Sequence, residues 1–442
     1  MVVRGVGEPS QEISRLDPGM IPEEFVYRDQ GKRYPWWVKS VDRITVETNA
    51  SEIQKPTTNM IMMGLMRRAQ NQDQPRQRAS LVKKIKNGTP GFSLPDVSLE
   101  FASQTFWQSG VDIDGGVIRG FRKLREVISG QVHTPQELGV EPWQGSEEEA
   151  SSMVEKAAMH LGAAQVGFTA LDLTWLGPNV RISSDVEAPT ASREGIFFPP
   201  AYKYVIVVAG RAPMWAAKCA PGALGSAADR SGYEEAHMAE EKLMNFIRGL
   251  GYGAFDIHMM GINPIPFAVM AGLGEMGRMN RVVSPYFGGA VRFTLILTDL
   301  PLALDKPIDF GLQEFCRHCR KCARACPVGA ISRDTDPSWE PQGPYSFKGK
   351  KVWFEDCEKC ASFTSSTGTY CGACLAACTW NKQNKTVLHQ VMRPLGAKLP
   401  YFSKLYACMD DLFGYGLVAE EKRKTWWELD LPVKGVGESS RR

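Results

Sequence analysis

Apolar residues recur along the middle of the chain at spacings that predict alternating helices and strands. Ser146, followed by three glutamates, is typical of a capped helix start, and the apolar positions after it predict a helix through Leu161. Four short apolar runs that favour buried strands lie at 163–174, 202–210, 254–259 and 291–298. This alternation indicates a sheet with helices packed on it.

A second helix is predicted from Glu234 to Leu250. Its apolar face would be formed by Met238, Leu243, Phe246 and Ile247, and Gly251 would end it. Residues 186–200, within an insertion at about 175–200, are irregular and contain prolines. We therefore predict an insertion loop there.

Changes in composition divide the chain into four units. Residues 1–145 are polar and rich in Pro, Gln and Gly, and are predicted to be a peripheral unit docked by aromatic anchors. Residues 146–305 form the predicted α/β core, 306–385 hold a cysteine-rich region, and 386–442 form a tail packed back on the core. The anchor candidates in the first unit are Trp36, Trp37, Phe101, Phe106 and Trp107.

Composition excludes several classes of protein. The chain has 442 residues, of which 43% are hydrophobic and 23% charged, an ordinary globular balance. A net charge of +3 does not demand a nucleic-acid partner. No apolar run is long enough for a membrane-spanning helix, and the N-terminus carries no recognisable leader. These features predict a cytoplasmic protein, or a mature form from which a leader has been removed.

The cysteines are clustered rather than spread. Ten of the eleven lie beyond residue 300, whereas a disulfide scaffold would be short and would distribute them. In a chain this long the clustering favours a metal or redox site over disulfides.

Two cysteine runs carry a specific spacing. The first, with gaps of two, two and three residues and a following Pro327, is typical of bacterial ferredoxins that bind iron–sulfur clusters. Zinc ribbons also use CxxC pairs, but rarely a run of four. Crossed ligation then predicts two [4Fe–4S] clusters, one held by Cys316, Cys319, Cys322 and Cys378, the other by Cys326, Cys360, Cys371 and Cys374.

Three further cysteines need an interpretation. Cys357 competes with Cys360 for one ligand position, while Cys219 and Cys408 are predicted to be inert buried thiols. The proline usual after the last ligand is replaced by Thr379. Paired clusters form an electron path, so the α/β core before them is expected to hold the chemistry.

Two motifs in the core point to other cofactors. Gly272 to Gly277 matches GxGxxG, but a strand-like run follows it where a dinucleotide site needs a helix. We expect this glycine loop to let backbone approach a large flat ligand. Asp256-x-His258-x-x-Gly261 matches a loop that places histidine on cobalt in some corrinoid proteins, but its usual downstream partners are missing. His258 is therefore interpreted as a strand-end residue.

Several segments, taken in order, resemble one enzyme family. The resemblance is to the corrinoid- and iron–sulfur-dependent reductive dehalogenases of anaerobic, organohalide-respiring bacteria. It covers about 150–440 well and 1–145 only loosely. The segments that carry it are Phe246–Tyr252, Ala271–Arg278, Leu297–Leu302, Asp305–Gly311, Glu314–Cys316 and Asp410–Gly416.

The resemblance implies an α+β fold. A nitroreductase-like α/β core would bind base-off cobalamin without a protein ligand to cobalt, beside a bacterial-ferredoxin-like domain with two [4Fe–4S] clusters. The cobalamin-binding residues would lie in the glycine segment, at Gly272, Leu273, Gly274, Met276, Gly277 and Arg278.

The resemblance also implies two catalytic residues. By position in the motifs, Tyr233 would donate the proton, Arg292 would assist beside it, and cob(I)alamin would perform the redox step. An ordinary tyrosine, with a pKa near ~10, is protonated at neutral pH, and a guanidinium nearby eases proton release. A structural hydrogen-bonded tyrosine and a structural ion pair remain the alternatives.

Substrate choice is predicted from departures in the pocket. Relatives often carry Asn at the position of Met259 and Trp at that of Thr364, which follows Phe363. These three residues are the predicted substrate pocket. The changes favour a roomier, more apolar pocket for a small chlorinated alkane or alkene.

Two other functions are alternatives for this sequence. Epoxyqueuosine reductase resembles this chain in cobalamin and paired clusters, but it acts on tRNA and uses Asp where Tyr233 stands. A non-catalytic electron-transfer module would leave the α/β core without a purpose. The discriminating observation is whether the purified protein retains a corrinoid.

The resemblance finally implies partners and a location. Family members are exported through a twin-arginine leader and held at the outer face of the cytoplasmic membrane by a small integral-membrane subunit. This sequence shows no such leader, so we expect a processed form. A quinol-linked or other low-potential donor, an organohalide substrate and a homodimer are expected, and nucleic acid is not.

Overall fold

The fold is described from a computed structural model of the chain. The residues described are 19–29, 33–53, 79–102, 134–177, 179–192, 195–258, 260–341, 346–382 and 387–431. The predicted pocket residue Met259, the anchor candidates Phe106 and Trp107, and the side chain of Phe101 lie outside this description.

The described chain alternates helices and strands, as the apolar pattern predicts. The strands are β1 Lys39–Ser40, β2 Gln165–Ala170, β3 Val180–Ile182, β4 Thr190–Ser192, β5 Gly195–Phe198, β6 Tyr204–Arg211, β7 Ala254–Asp256, β8 Glu275–Met276, β9 Val282–Val283, β10 Val291–Thr298 and β11 Ile308–Asp309. The helices are α1 Leu94–Ala102, α2 Pro135–Leu138, α3 Glu147–His160, α4 Met214–Ala217, α5 Ala223–Gly249, α6 Pro264–Met270, α7 Leu312–Cys319, α8 Lys321–Ala325, α9 Cys357–Thr367, α10 Ala373–Ala376, α11 Val387–Lys398 and α12 Ser403–Leu412.

The core is a four-stranded antiparallel sheet in the order β2-β6-β10-β7. Its two central strands are apolar on both faces, so successive residues enter different clusters. Val207 and Leu295 pack on one face, while Ile206 and Ile296 pack on the other. Continuous apolar runs of this kind arise because both faces of the sheet are covered.

Helices α3 and α5 cover one face and α6 covers the other. The predicted start of α3 is confirmed: Ser146 and Glu149 form a reciprocal capping box that satisfies the free N–H groups of the first turn. Asn263 caps α6 through its side chain. These caps fix where the chain enters each layer.

Helix α5 begins at Ala223, well before the predicted start at Glu234. Its first turns are rich in Ala, Gly and Ser, so they carry no strong apolar stripe. Small residues are needed there because these turns lie close to other backbone: a Cβ at Gly225 would lie 2.7 Å from the Ala220 Cα, and one at Gly232 would lie 3.1 Å from the Ala212 nitrogen. The small residues that close packing requires therefore left no apolar pattern from which the start of the helix could be predicted.

The predicted insertion loop at 186–200 is wrong. The segment contributes two strands of a three-stranded sheet in the order β3-β5-β4. Ile196 and Phe198 of β5 are buried in the core cluster. The strands are three or four residues long, too short for a clear alternation, and packing on the core supports them.

The N-terminal region packs on the cysteine-rich region through aromatic side chains. Phe310 contacts Trp380 edge to face, with ring centroids 4.8 Å apart, and Trp37 packs on both rings. Trp37 is thus an anchor of the N-terminal region, as predicted, whereas its neighbour Trp36 is 76% exposed. Pairing of β1 with β11 adds a second attachment.

The tail packs back on the body. Trp426 is buried, and its indole Nε1 donates to the Trp215 carbonyl at 3.1 Å. Of the two thiols predicted to be buried, Cys219 is buried but Cys408 is exposed. Cys408 lies off the stripe of α12, formed by Tyr406 and Asp410, that faces the protein. In the described ranges no helix has the length and apolarity to cross a membrane.

Candidate active site and cluster-binding region

The cysteines predicted to hold the first cluster lie near one another. Burial raises the pKa of the Cys322 thiol, and the neighbouring Cys316, Cys319 and Cys378 raise it further. Cys378 comes from the second run, so the fold brings together the crossed set that the spacing predicts. Four thiols sharing one site are the donor set of a [4Fe–4S] cluster.

The second set is assembled in the same way. Burial raises the pKa of Cys360 to about 12, with contributions from Cys371 and Cys326. Burial also raises the pKa of Cys374, and the neighbouring Cys360 and Cys371 raise it further. These contributions place Cys326, from the first run, with cysteines of the second.

Cys357 shares the charged neighbours Glu355 and Arg281 with Cys360, but among the described residues no other cysteine acts on its thiol. Its thiol donates to Glu355 Oε1 at 3.8 Å. Burial raises its pKa to about 12, and the charges that act on it come from Glu355, Arg281 and Lys350. The geometry therefore favours Cys360 over Cys357 as the fourth ligand.

Thr379, which stands where the family pattern has proline, contacts a predicted ligand. Its hydroxyl lies 3.2 Å from Cys319 Sγ, and both side chains are buried. A hydrogen bond to a cluster sulfur is one of the features that set a reduction potential. Because proline has no hydroxyl group, this contact exists only when a residue such as Thr379 replaces it.

Arg278 supports the cysteine loop. It is 1% exposed and donates to the carbonyls of Cys316, Ser332 and Asp334 at 2.7–3.1 Å. Its predicted role in binding cobalamin is not what these contacts indicate, because its guanidinium is committed to the first cysteine run. An arginine provides this support because its five N–H groups bridge several carbonyls at once.

The glycine run forms a hairpin, since β8 pairs with β9. A Cβ at Gly274 would lie 2.7 Å from Val282 Cγ1, and one at Gly272 would lie 2.9 Å from the Tyr34 hydroxyl. Leu273 is fully buried in the core. At these positions protein atoms make a close approach to the glycine backbone, and binding of cobalamin by this run stays a prediction. Met276 and Gly277 belong to the same hairpin.

Tyr233 lies on α5 among charged and aromatic side chains. The Arg292 guanidinium carbon is 5.7 Å from the centre of its ring. Burial raises the pKa of Tyr233, while Arg281 and Arg230 lower it. Burial prevails, so the phenol holds its proton at neutral pH. The two cations that ease proton release were not identified from the sequence.

Arg292 is held in a buried ion pair with Asp229. Its Nε donates to Asp229 Oδ1 at 2.6 Å, a second N–H donates to the same oxygen, and the Val291 carbonyl accepts at 2.7 Å. Asp229 precedes Tyr233 by one helical turn, on the same face of α5. Asp229 was not identified from the sequence, because the predicted start of the helix lies after it.

Tyr370 connects this pair to the second cysteine set. Burial raises its pKa, and Arg281, Arg292, Tyr233 and Cys374 all act on it electrostatically. The predicted proton donor, its arginine and a predicted cluster ligand therefore all lie near enough to influence the Tyr370 hydroxyl. Nothing in the local sequence of Tyr370 signals this role.

A cavity opens where the core meets the cysteine region. Its polar end is formed by Asp229 and Arg292, and the remaining lining residues are small or aliphatic: Ala212, Ala217, Gly225, Ala290, Gly372, Leu375 and Ala376. Such a lining lets a flat group approach the backbone closely. Gly372, Leu375 and Ala376 flank predicted cluster ligands.

Three buried hydroxyls lie on α9 and just after it. Thr364, Ser365 and Thr369 are at most 8% exposed, and their hydroxyl oxygens have no hydrogen-bond partner within the described ranges. Buried hydroxyls without a partner are costly, so they indicate a polar ligand. Thr364 belongs to the predicted substrate pocket, as does the partly exposed Phe363.

Replacing Asp229 with Ala is expected to destabilise the protein by about 3–5 kcal/mol, because it leaves the Arg292 guanidinium buried beside no carboxylate. The measurement is the denaturant midpoint of the cluster-loaded chain. Asp42→Ala is the matched control: it removes the exposed Lys306–Asp42 pair, 2.7 Å long, and should cost only about 0.2–1 kcal/mol. Equal effects of the two changes would contradict the prediction.

Comparison with known families decides the classification. The family model described as "Reductive dehalogenase subunit" matches residues 32–201 and 192–302, more than half of the chain. The chain belongs to this family. A second model, "4Fe-4S double cluster binding domain", matches residues 315–381 and confirms the two-cluster region.

Curated members of the family are similar over part of the chain. The tetrachloroethene reductive dehalogenase of Sulfurospirillum multivorans is 33% identical over 308 residues, 65% of this chain and 61% of that protein. That of Dehalobacter restrictus is 34% identical over 309 residues, 61% of this chain and 54% of that protein. The chain thus aligns with little more than half of these relatives.

Solved structures of the family confirm the predicted fold class. The catabolic reductive dehalogenase NpRdhA aligns with 92% of this chain and 53% of its own, with a TM-score of 0.61 and 23% identity. A second structure, with the same scores, is described as suggesting a mechanism for B12-dependent dehalogenation. An epoxyqueuosine reductase is more distant, 26% identical over 35% of this chain.

Proposed function

We propose that this chain is the catalytic part of a reductive dehalogenase, an oxidoreductase that replaces halogen by hydrogen in a small organohalide. The observation that carries the proposal is the pair formed by Tyr233 and Arg292, whose guanidinium carbon lies 5.7 Å from the centre of the tyrosine ring, in a chain that belongs to the reductive dehalogenase family. The cavity that Arg292 lines is also lined by Gly372, Leu375 and Ala376, which flank predicted cluster ligands. The proposed proton donor and the predicted electron path therefore lie on either side of one cavity.

Cobalamin is the proposed cofactor between them. Small side chains line the cavity, and the buried hydroxyls of Thr364, Ser365 and Thr369 are the proposed hydrogen-bond partners of the cofactor's amide groups. A bound cobalamin would supply the low-potential electrons that break the carbon–halogen bond. The chain's own residues orient the substrate, exclude water and deliver the proton.

Tyr233 is the proposed proton donor. Its raised pKa keeps the hydroxyl protonated before reaction, and Arg281 and Arg230 stabilise the phenolate left after transfer. Arg292, fixed by Asp229, presents a positive charge beside the ring. That charge can attract the departing halide without moving, because its partners already hold it.

The proposed substrate class is a small chlorinated alkane or alkene. The support is the family relationship to tetrachloroethene reductive dehalogenases, together with the departures at Met259 and Thr364.

Halide release tests the function and the substrate class together. The full chain, with reconstituted clusters and supplied cobalamin, is assayed with a low-potential reductant against chloroalkanes, chloroethenes and chlorophenols. We expect chloride release from the first two classes. Preference for chlorophenols would overturn the substrate class. Failure to retain any corrinoid would overturn the function, and activity on epoxyqueuosine-containing tRNA instead would favour the more distant relatives.

We also propose the family's cellular arrangement for this chain: a peripheral position at the outer face of the cytoplasmic membrane after twin-arginine export, on a small integral-membrane subunit. A quinol-linked or other low-potential donor and a homodimer complete the proposal. Exposed apolar side chains close to the cysteine region support an apolar partner there. They are Leu399, Tyr401, Phe402, Leu405, Leu412 and Phe413.

A further inference from the structure

A second group of titratable side chains lies in the core beside Tyr233, apart from the cysteines. His237 and Glu240 belong to α5, and Asp256 ends β7; their exposures are 2%, 0% and 3%. One donor atom of each lies within 4.8 Å of the others. His237 Nδ1 is 2.9 Å from Glu240 Oε2. This spacing can close on a single ion with small side-chain movements.

A fourth candidate donor, His258, lies in the turn just after β7, beside these three. His237 and Glu240 stand three apart on a helix, so they share a face. The His258 ring lies 5.5 Å from that of His237. Two imidazoles that bind one tetrahedral ion have centres about 5 Å apart. Within the described residues, His258 Nδ1 is buried without a hydrogen-bond partner.

We propose that His237, Glu240, Asp256 and His258 bind one divalent first-row cation, with Zn²⁺ the ion that this donor set favours. Two imidazoles and two carboxylates are zinc ligands, and they differ from the thiolates of the cluster region. Glu240 and Asp256 repel one another when both are ionised and buried, and a divalent cation turns that repulsion into attraction.

The ion would join α5 to the end of β7. The His258 ring lies parallel to that of Tyr233, with centroids 6.2 Å apart and an interplanar angle of 5°. A bound ion would therefore fix the ring on which the proposed proton donor packs. This consequence rests on the proposed function, whereas the metal site itself does not.

Metal analysis tests the site independently of dehalogenation. The full chain is first loaded with both clusters, so that the cysteines are occupied, and is then dialysed without oxygen against Zn²⁺ buffered by a chelator. Zinc, iron and cobalt per chain are measured together. We expect one zinc per chain in the unmodified protein. In the His237→Gln/Asp256→Asn double variant we expect zinc affinity to fall by more than about 10-fold.

Two control variants separate this site from other donors. His160→Gln removes an exposed histidine and Cys408→Ser an exposed thiol, and both should leave zinc binding unchanged. The proposal is overturned if the unmodified chain binds no zinc, or if the double variant binds it equally. Should the double variant lose its clusters and so fail to fold, the single Glu240→Gln variant, which preserves shape, must show the loss instead.

Discussion

Tyr233→Phe is expected to lower the rate of halide release by about 10²–10⁴-fold, the usual effect of removing a general acid. Phenylalanine keeps the ring that packs on His258 and lies beneath Arg292, and removes only the hydroxyl. Packing and cofactor content should therefore be preserved. Because burial raises the pKa of Tyr233, the unmodified enzyme should show no loss of activity from tyrosine ionisation below about pH 10.

The matched control is Tyr252→Phe. Tyr252 lies beyond the other end of α5, and its hydroxyl donates to the Trp143 carbonyl at 2.9 Å. Loss of the Tyr252 hydroxyl should lower the free energy of unfolding by about 1 kcal/mol, the usual contribution of one hydrogen bond. The rate of halide release should change little. The measurement is single-turnover chloride release, with iron and corrinoid quantified in each sample. Activity within about threefold of the unmodified enzyme in Tyr233→Phe would show that the hydroxyl is structural.

The fold could be predicted where the signal is local. The capping box at Ser146 and the apolar runs of β6 and β10 are complete within a few residues, and each is confirmed. The first turns of α5 could not be predicted, because their side chains are small enough for close packing and therefore form no apolar stripe. Asp229 lies in those turns, so the ion pair that fixes Arg292 was missed with them.

The same distinction between local and long-range signals applies to the candidate site. Cysteine spacing predicted both thiol sets because ligation follows chain geometry within each run. Tyr370, Arg281 and Arg230 could not be identified, since only long-range packing brings them to Tyr233. The glycine run shows that the need for small residues could be predicted, whereas the protein neighbours that require them, Val282 and Val283 at Gly274, could not.

Cys360→Ala is expected to halve the iron content, from about eight atoms per chain to about four, and to abolish dehalogenation. Cys360 shares its surroundings with Cys371 and Cys326, and with Cys374, which acts on Tyr370. Its loss therefore removes the cluster nearer the proposed proton donor. Iron analysis and low-temperature electron paramagnetic resonance of the reduced protein measure the effect, because one of two cluster signals should disappear.

Cys357→Ala is the decisive comparison, since Cys357 lies three residues earlier on the same helix. Its thiol faces Glu355 and Arg281, so its removal should leave both clusters and most of the activity. If Cys357→Ala loses a cluster while Cys360→Ala keeps both, the ligand assignment is reversed. Loss of a cluster in both variants would mean that the two thiols exchange as ligands, because a cluster iron needs only one of them.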